Sequence, residues 1–273
     1  MINLYKKLKE IIRYRELLFR LVLKELKVRY KHPFLGFLWA FIVPLCMILI
    51  FMFIFSYILK VPHQGYPFFI FLLSALFPWN YLNLSISTST MSLLDSGNLI
   101  KKVYFPRELI PISIVVVNLV LFIFSLGPML VFIIPFGIKL SPLIFFLPGV
   151  IFMQTIFISG ICLIVSSLQV KYRDIKYIVE VLLILWFYLT PIFYPLELIA
   201  NAPDTVFKIY MLNPLTQLIT LYRIIIINNY IKCLPPQVNI LELMFFNLAI
   251  CIITFLSGFI IFKKQEPRFS DLV

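Results

Sequence analysis

The chain has 273 residues, 62% of them hydrophobic and only 13% charged. Soluble domains hold roughly 45–50% apolar residues, so this composition and a mean hydropathy of +1.02 exclude a soluble globular domain and leave a polytopic membrane protein. The formal charge of +12 does not point to nucleic acid: the basic residues cluster in loops beside apolar runs, as the orientation rule of membrane proteins requires, and no groove-reading or base-stacking module is recognisable.

The first stretch is charged and the first apolar run is too long for a signal h-region, so no cleavable signal is expected. Within it, RELLFRLVLKELKVRYKH (15–32) has helical periodicity. Leu18, Phe19, Val22, Leu23, Leu26 and Tyr30 fall on one face and Arg20, Lys24, Lys27 and Lys31 on the other. Glu25 and Arg29 are spaced to pair. Such a helix belongs in the headgroup layer, lysines toward anionic lipid, either as a topology anchor or also bordering the substrate's way in.

Apolar runs near 34–59, 66–94, 109–136, 142–168, 177–194 and 240–262 each approach the roughly 20 residues a bilayer span needs. A seventh run, 205–227, is broken by NPLTQ and carries Lys208 and Arg223. With six spans both termini share a side, and that side collects all of the 24 Lys and Arg except Lys60, Lys139, Lys208, Arg223 and Lys232. A seventh span would put the basic tail outside, against the trend. Residues 192–235 are therefore expected to form an external re-entrant element, whose irregular backbone protein or water must cover. The chain reads as one transmembrane domain: an interfacial segment 1–33, a core 34–262 with a cytoplasmic loop at 95–108, and a cytoplasmic tail 263–273.

Several chemistries are missing. None of the eight glycines precedes a lysine, so there is no phosphate-binding loop of the G-x-x-x-x-G-K-[ST] type and no ATP hydrolysis by that route. His32 and His63 stand at span ends without a partner cluster, and the four cysteines have no metal-ligand spacing. Cys46, Cys162 and Cys251 fall within spans, where packing explains them. No metal or cofactor is expected in this chain. Asp95, Glu108, Asp174 and Glu180 lie at cytoplasmic span ends and Glu197, Asp204 and Glu242 outside. Intramembrane carboxylates that would couple transport to ions are therefore nearly absent. The same lack of clustered carboxylates or histidines argues against a membrane-embedded enzyme.

The polar content of the spans is small. Ser85, Thr88, Ser89, Ser92 and Ser96 recur along one helical stripe and suit either a polar path or close helix packing. Aromatics make up 17% of the chain and gather in FPWNYLN (77–83) and WFYLTPIFY (186–194), as interfacial belts or as faces for sugar rings.

Six stretches in order, VRYKHPFLGFLWAFIVP (28–44), LFPWNY (76–81), NLIKKVYFPRELIP (98–111), YRDIKYIVEVLLILWFYLTPIFYP (172–195), NPLTQLITLYR (213–223) and FKKQEPRFSDLV (262–273), resemble the membrane-spanning permeases of bacterial ABC exporters for polysaccharides and polyol phosphates, the group of O-antigen and teichoic-acid exporters. The resemblance implies an all-α, six-helix permease working as a homodimer in the bacterial inner membrane, with two separately encoded subunits that bind ATP and Mg and a lipid-linked glycan as substrate. It implies that the loop after the second span is a coupling helix for the ATPase, over Asn98, Leu99, Ile100, Lys101, Lys102, Val103, Tyr104 and Phe105, ended by Pro106. Leu99, Ile100, Val103 and Tyr104 would then fill the partner's groove while the lysines stay hydrated; a plain solvated loop is the alternative. The N-terminal helix becomes an interfacial or gate helix through Phe19, Arg20, Lys24, Lys27, Arg29 and Tyr30. The first and fifth spans would flank the channel, making Trp39, Phe53, Tyr57, Trp186 and Tyr188 lining candidates beside the hydroxyls of Ser85, Thr88, Ser89 and Ser92. An O-antigen-like glycan is the expected substrate. The alternatives are a teichoic acid, or efflux of a small molecule or lipid by the related permease type.

Overall fold

The computed structural model describes residues 14–30, 38–58, 66–133, 141–200 and 203–272. The expectations for His32, His63 and Lys31 lie outside them, as does the side chain of Tyr30. Among these residues twelve α-helices are defined: α1 (Arg15–Tyr30), α2 (Trp39–Met52, continued as a π-helical turn over Phe53–Ile58), α3 (Phe68–Asp95), α4 (Gly97–Lys102), α5 (Leu109–Ile133), α6 (Leu147–Lys171, entered through a 3₁₀ turn at Pro142–Phe146), α7 (Ile175–Leu189), α8 (Leu196–Ala200), α9 (Asp204–Leu212), α10 (Pro214–Ile226), α11 (Ile240–Gln265) and α12 (Phe269–Leu272).

Among the described residues five helical stretches are long and apolar enough to cross a membrane: Phe41–Ile58, Phe68–Asp95, Leu109–Gly127, Pro142–Lys171 and Ile240–Arg268. The bent pair Thr205–Leu212 and Pro214–Ile226, at 82°, makes a sixth if it counts as one span. The expected span at 177–194 is shorter than its hydropathy suggested. Its helix has 15 residues, about 22 Å at 1.5 Å per residue, and stops at Leu189. Thr190 is extended because the residue before a proline, here Pro191, is pushed out of the helical region.

The core is built around α3 and α6. Nineteen of the 28 residues of α3 are buried, so this helix is enclosed by protein rather than lipid. It packs on α5 and α6, and α6 pairs most extensively with α11. Because lipid is as apolar as leucine, such contacts rely on close fit and interhelical hydrogen bonds, and both are present. Gln154 Nε2 donates to the Pro78 carbonyl (2.8 Å), and Tyr222 Oη donates to Gln154 Oε1 (2.6 Å). One amide thereby joins α3, α6 and α10.

A tight turn reverses the chain between α6 and α7. Gln169 Nε2 donates to the Arg173 carbonyl and Gln169 Oε1 accepts from the Lys176 amide, and Trp186 comes back against Phe157 with ring centroids 6.1 Å apart. Consequently α7 ends toward the end of the bundle where α6 begins. The bent pair returns there too: the Ser141 amide donates to the Ile226 carbonyl (3.4 Å).

The N-terminal helix forms over the expected residues but is turned about its axis. Leu21 and Val22 are its buried residues, while Phe19 (61% exposed) and Leu23 face outward. The expected single apolar face is thus split, because α1 lies on α5 as well as at a surface. Arg29 does not pair with Glu25. It donates to Asn118 Oδ1 of α5 (2.7 Å), while Glu25 sits 3.5 Å from Lys24 and Arg20 pairs with Glu16. Cys162 and Cys251 are buried as packing requires, whereas Cys46 is exposed.

Candidate transport groove and coupling surface

A groove of about 320 Å³ opens between α2, α3 and α7. Val43 and Met47 of α2 form one wall and Ile184 and Tyr188 of α7 the other, with Asn80 and Asn83 of α3 on the floor between them. One turn apart on the same helix, these amides supply donors and acceptors within an otherwise apolar trough. Trp79 closes the floor against Phe187, centroids 5.3 Å apart.

The walls continue as uncovered apolar helix faces. Phe53 (57%) and Tyr57 (74%) stack on one another at 5.6 Å, and Ile178, Val181, Leu185 and Tyr188 (60%) are exposed along α7. Trp39 is also exposed. Trp186 is half-buried and donates Nε1–H to Asn213 Oδ1 (2.9 Å), so this ring is held within the chain's own fold.

The hydroxyl stripe lies elsewhere. Ser85, Ser89 and Ser92 are buried, and Ser89 Oγ donates to the Cys162 carbonyl while Cys162 Sγ donates to that of Ser85. Thr88, half-buried, donates to the Leu84 carbonyl. These groups sit in helix contacts, three of them sealed from any path through the molecule. Asn80 and Asn83, inside the FPWNYLN stretch read for its aromatics, are the polar residues that border the groove. Two amides at i, i+3 in an apolar run were the available signal.

At the other end of α3 the chain makes α4, a six-residue helix GNLIKK. It ends at Lys102 rather than before Pro106, since Val103 is extended. Ile100 and Phe105 are buried at 4% in a cluster with Leu21, Leu109, Phe262 and Phe269. They therefore anchor the loop to its own chain and are not offered to a partner. Asn98, Lys101, Lys102, Val103 and Tyr104 are exposed, Tyr104 at 95%, and Leu99 is half-buried.

Behind this loop lies an ion-pair cluster that sequence reading placed only as an interfacial carboxylate. Lys263 Nζ meets Glu108 Oε2 at 2.6 Å and Glu266 Oε2 at 2.9 Å, with 5% and 0% of the Lys263 and Glu108 side chains exposed. Arg107 donates to the Glu266 carbonyl (2.7 Å). The loop after α3 is in this way tied to the end of α11.

A model of the ABC-2 type transporter family matches residues 16–227. The chain belongs to that family. Among relatives, the O-antigen export system permease protein RfbA of Myxococcus xanthus is 32% identical over 265 residues, covering 97% of this chain and 98% of that protein. The protein of the same name from Klebsiella pneumoniae is 32% identical over 251 residues, covering 92% of each.

This ABC-2 chain is a membrane transport permease rather than an enzyme. Its remaining sites are held by the bent pair. Asn213 caps α10 by accepting from the Leu215 amide (3.1 Å), accepts from Trp186, and donates to Thr190 Oγ1 (3.1 Å). Arg223, fully buried, donates to the Ile192 carbonyl (2.8 Å) and lies 3.5 Å from the Phe71 ring centroid. A guanidinium is expensive to desolvate, and here backbone and aromatic faces offset that cost. Of the expected gate-helix residues, Phe19, Arg20, Lys24 and Lys27 are exposed and Arg29 is bound to α5.

Proposed function

We propose that this chain is the channel-forming permease subunit of an ATP-driven exporter, moving an O-antigen-like, lipid-linked polysaccharide outward across the bacterial inner membrane. The observation that carries the channel reading is the α2–α7 groove. Two apolar, aromatic-rich helix faces stand uncovered on either side of a trough floored by Asn80 and Asn83. A second copy laid against α2 and α7 would close the trough into a passage, and a long polymer needs many weak contacts along such a passage rather than one tight pocket. The substrate class follows from the relatives, both named O-antigen export permeases and matched over more than nine-tenths of their length.

ATP enters through two partner subunits that dock on the exposed end of α4 and the extended residues after it, with Lys101, Lys102, Val103 and Tyr104 as the contact. α1 borders the cytoplasmic approach to the groove. The short α7 completes six crossings, and the bent α9–α10 pair is re-entrant. In support, α7 ends toward the end of the bundle where α6 begins, and the pair that follows it leaves at that same end, its Ile226 carbonyl accepting from the Ser141 amide. Both termini are then cytoplasmic, on the side of the basic loops.

The test is deletion of the gene in its own host and complementation with wild-type and Asn80→Leu/Asn83→Leu chains, reading surface polysaccharide, intracellular lipid-linked glycan and co-purification of an ATPase. The proposal expects wild type to restore surface glycan, the variant to leave glycan inside, and an ATPase to co-purify with both. Unchanged surface polysaccharide in the deletion strain would overturn the substrate class and favour a teichoic acid or a small-molecule efflux substrate. No associated ATPase would overturn the exporter reading.

A further inference from the structure

A cavity of about 530 Å³ lies between the last turns of α6 and α11, shares no lining residue with the α2–α7 groove, and is basic. Lys171, Lys264 and Arg268 line it, all three exposed, and among its described lining residues none is acidic. Lys171 is the last residue of one membrane-crossing stretch and Arg268 the last of another, so the three cations sit at headgroup depth. Below them the floor is apolar, with Val170 and Phe269 buried and Ile261 half-buried. The surface of α11 leading from this cavity along the span is apolar as well, with Ile260 and Ile253 exposed in register with Lys264 on one helical stripe.

Cations at the end of a span, above an apolar floor open to the hydrocarbon layer, have the chemistry of an anionic lipid site: basic pockets between transmembrane helices at the positively charged face bind acidic headgroups. We propose that this cavity holds an anionic glycerophospholipid, its phosphate among Lys171, Lys264 and Arg268 and its acyl chains along Ile260 and Ile253. The occupant would join α6 to α11 beside α12, the short helix that touches the coupling helix α4. A protein partner approaching from the aqueous side fits less well, since the apolar stripe runs from the cavity along the length of the span.

The test uses the full-length permease, delipidated in detergent and then exposed to equal amounts of phosphatidylglycerol and phosphatidylethanolamine, with bound lipid counted by native mass spectrometry. The expected result is retention of phosphatidylglycerol over phosphatidylethanolamine, weakened by salt and reduced at least tenfold in K171Q/K264Q/R268Q. Should that triple variant fail to accumulate, K264Q and R268Q singly are each expected to lower retention severalfold. Equal retention of the two lipids by wild type, or unchanged phosphatidylglycerol on the variants, overturns the proposal. So does a variant that keeps its lipid but loses an ATPase partner, which would assign the cations to a protein contact.

Discussion

Gly160 of α6 and Gly258 of α11 meet backbone to backbone: a Cβ placed on Gly160 would stand 2.6 Å from the carbonyl carbon of Thr254, and one on Gly258 would run into the Gly160 carbonyl. Small residues let helix backbones approach where lipid supplies no hydrophobic drive between them. The obstructing atoms are backbone, so no rotamer change can relieve the clash. Gly258→Ala is expected to destabilise the permease by about 1–3 kcal/mol, the range for overpacking a close-fitted contact. Gly258→Leu should prevent accumulation in the membrane. Gly149→Ala, with open space around its position, is the control; thermal melting in detergent compares the two alanine variants, and membrane abundance reads Gly258→Leu.

The buried cluster at Glu108 makes an ordered prediction. Lys263 holds two carboxylates, and Glu108 is the fully buried one. Removing Lys263 strands a carboxylate away from water, so Lys263→Met should cost about 3–5 kcal/mol, the usual loss when one member of a buried pair is deleted. Glu108→Gln leaves Lys263 paired with Glu266 and should cost less. The double variant Glu108→Gln/Lys263→Met should be more stable than Lys263→Met alone, and a double-mutant cycle on melting temperatures measures the difference.

If the loop after α3 docks the ATPase as proposed, its two sides should separate stability from partner binding. Ile100 is buried and Tyr104 is 95% exposed. Ile100→Ala is expected to cost about 2–5 kcal/mol as a core truncation and to loosen the loop. Tyr104→Ala and Lys101→Glu should leave melting unchanged while reducing ATPase co-purification at least tenfold. Normal partner binding by both would show that the exposed face of α4 is only a solvated turn.

How much of this was readable in advance depended on the physics each feature uses. Apolar runs announce helices, and the break at Asn213 was legible because Asn and Pro punctuate the pattern, whereas the short helix was implied over 98–105 by resemblance alone and forms over 97–102. Which side of an apolar helix meets protein was not. Phe19 and Leu21 are equally apolar, yet only Leu21 packs inward, since lipid and protein interior reward the same side chains. The hydroxyl stripe left polar path and helix packing open for a related reason: a serine can satisfy its own hydroxyl on a carbonyl of its helix, as Ser92 does with Ser89, so spacing alone does not choose between them. The Lys263–Glu108 pair joins residues 155 positions apart and carries no local signature at all.

Asn213 makes the final prediction. Its side chain accepts from the Leu215 amide and the Trp186 indole and donates to Thr190, so one residue fixes the 82° bend and fastens it to the end of α7. Asn213→Ala removes an N-cap, typically about 1 kcal/mol, and also leaves the half-buried indole N–H of Trp186 without its acceptor, roughly 1–3 kcal/mol for a buried donor. Asn213→Asp keeps both acceptor contacts and loses only the donor to Thr190, so it should retain most of the stability. Trp186→Phe removes the indole donor, and once it is gone Asn213→Ala should cost little more than the cap. A cycle over Asn213→Ala and Trp186→Phe should therefore yield a coupling energy of about 0.5–3 kcal/mol, the range for residues sharing a hydrogen bond. A coupling near zero would mean that the bend is held by the packing of Leu215 and Leu218 alone.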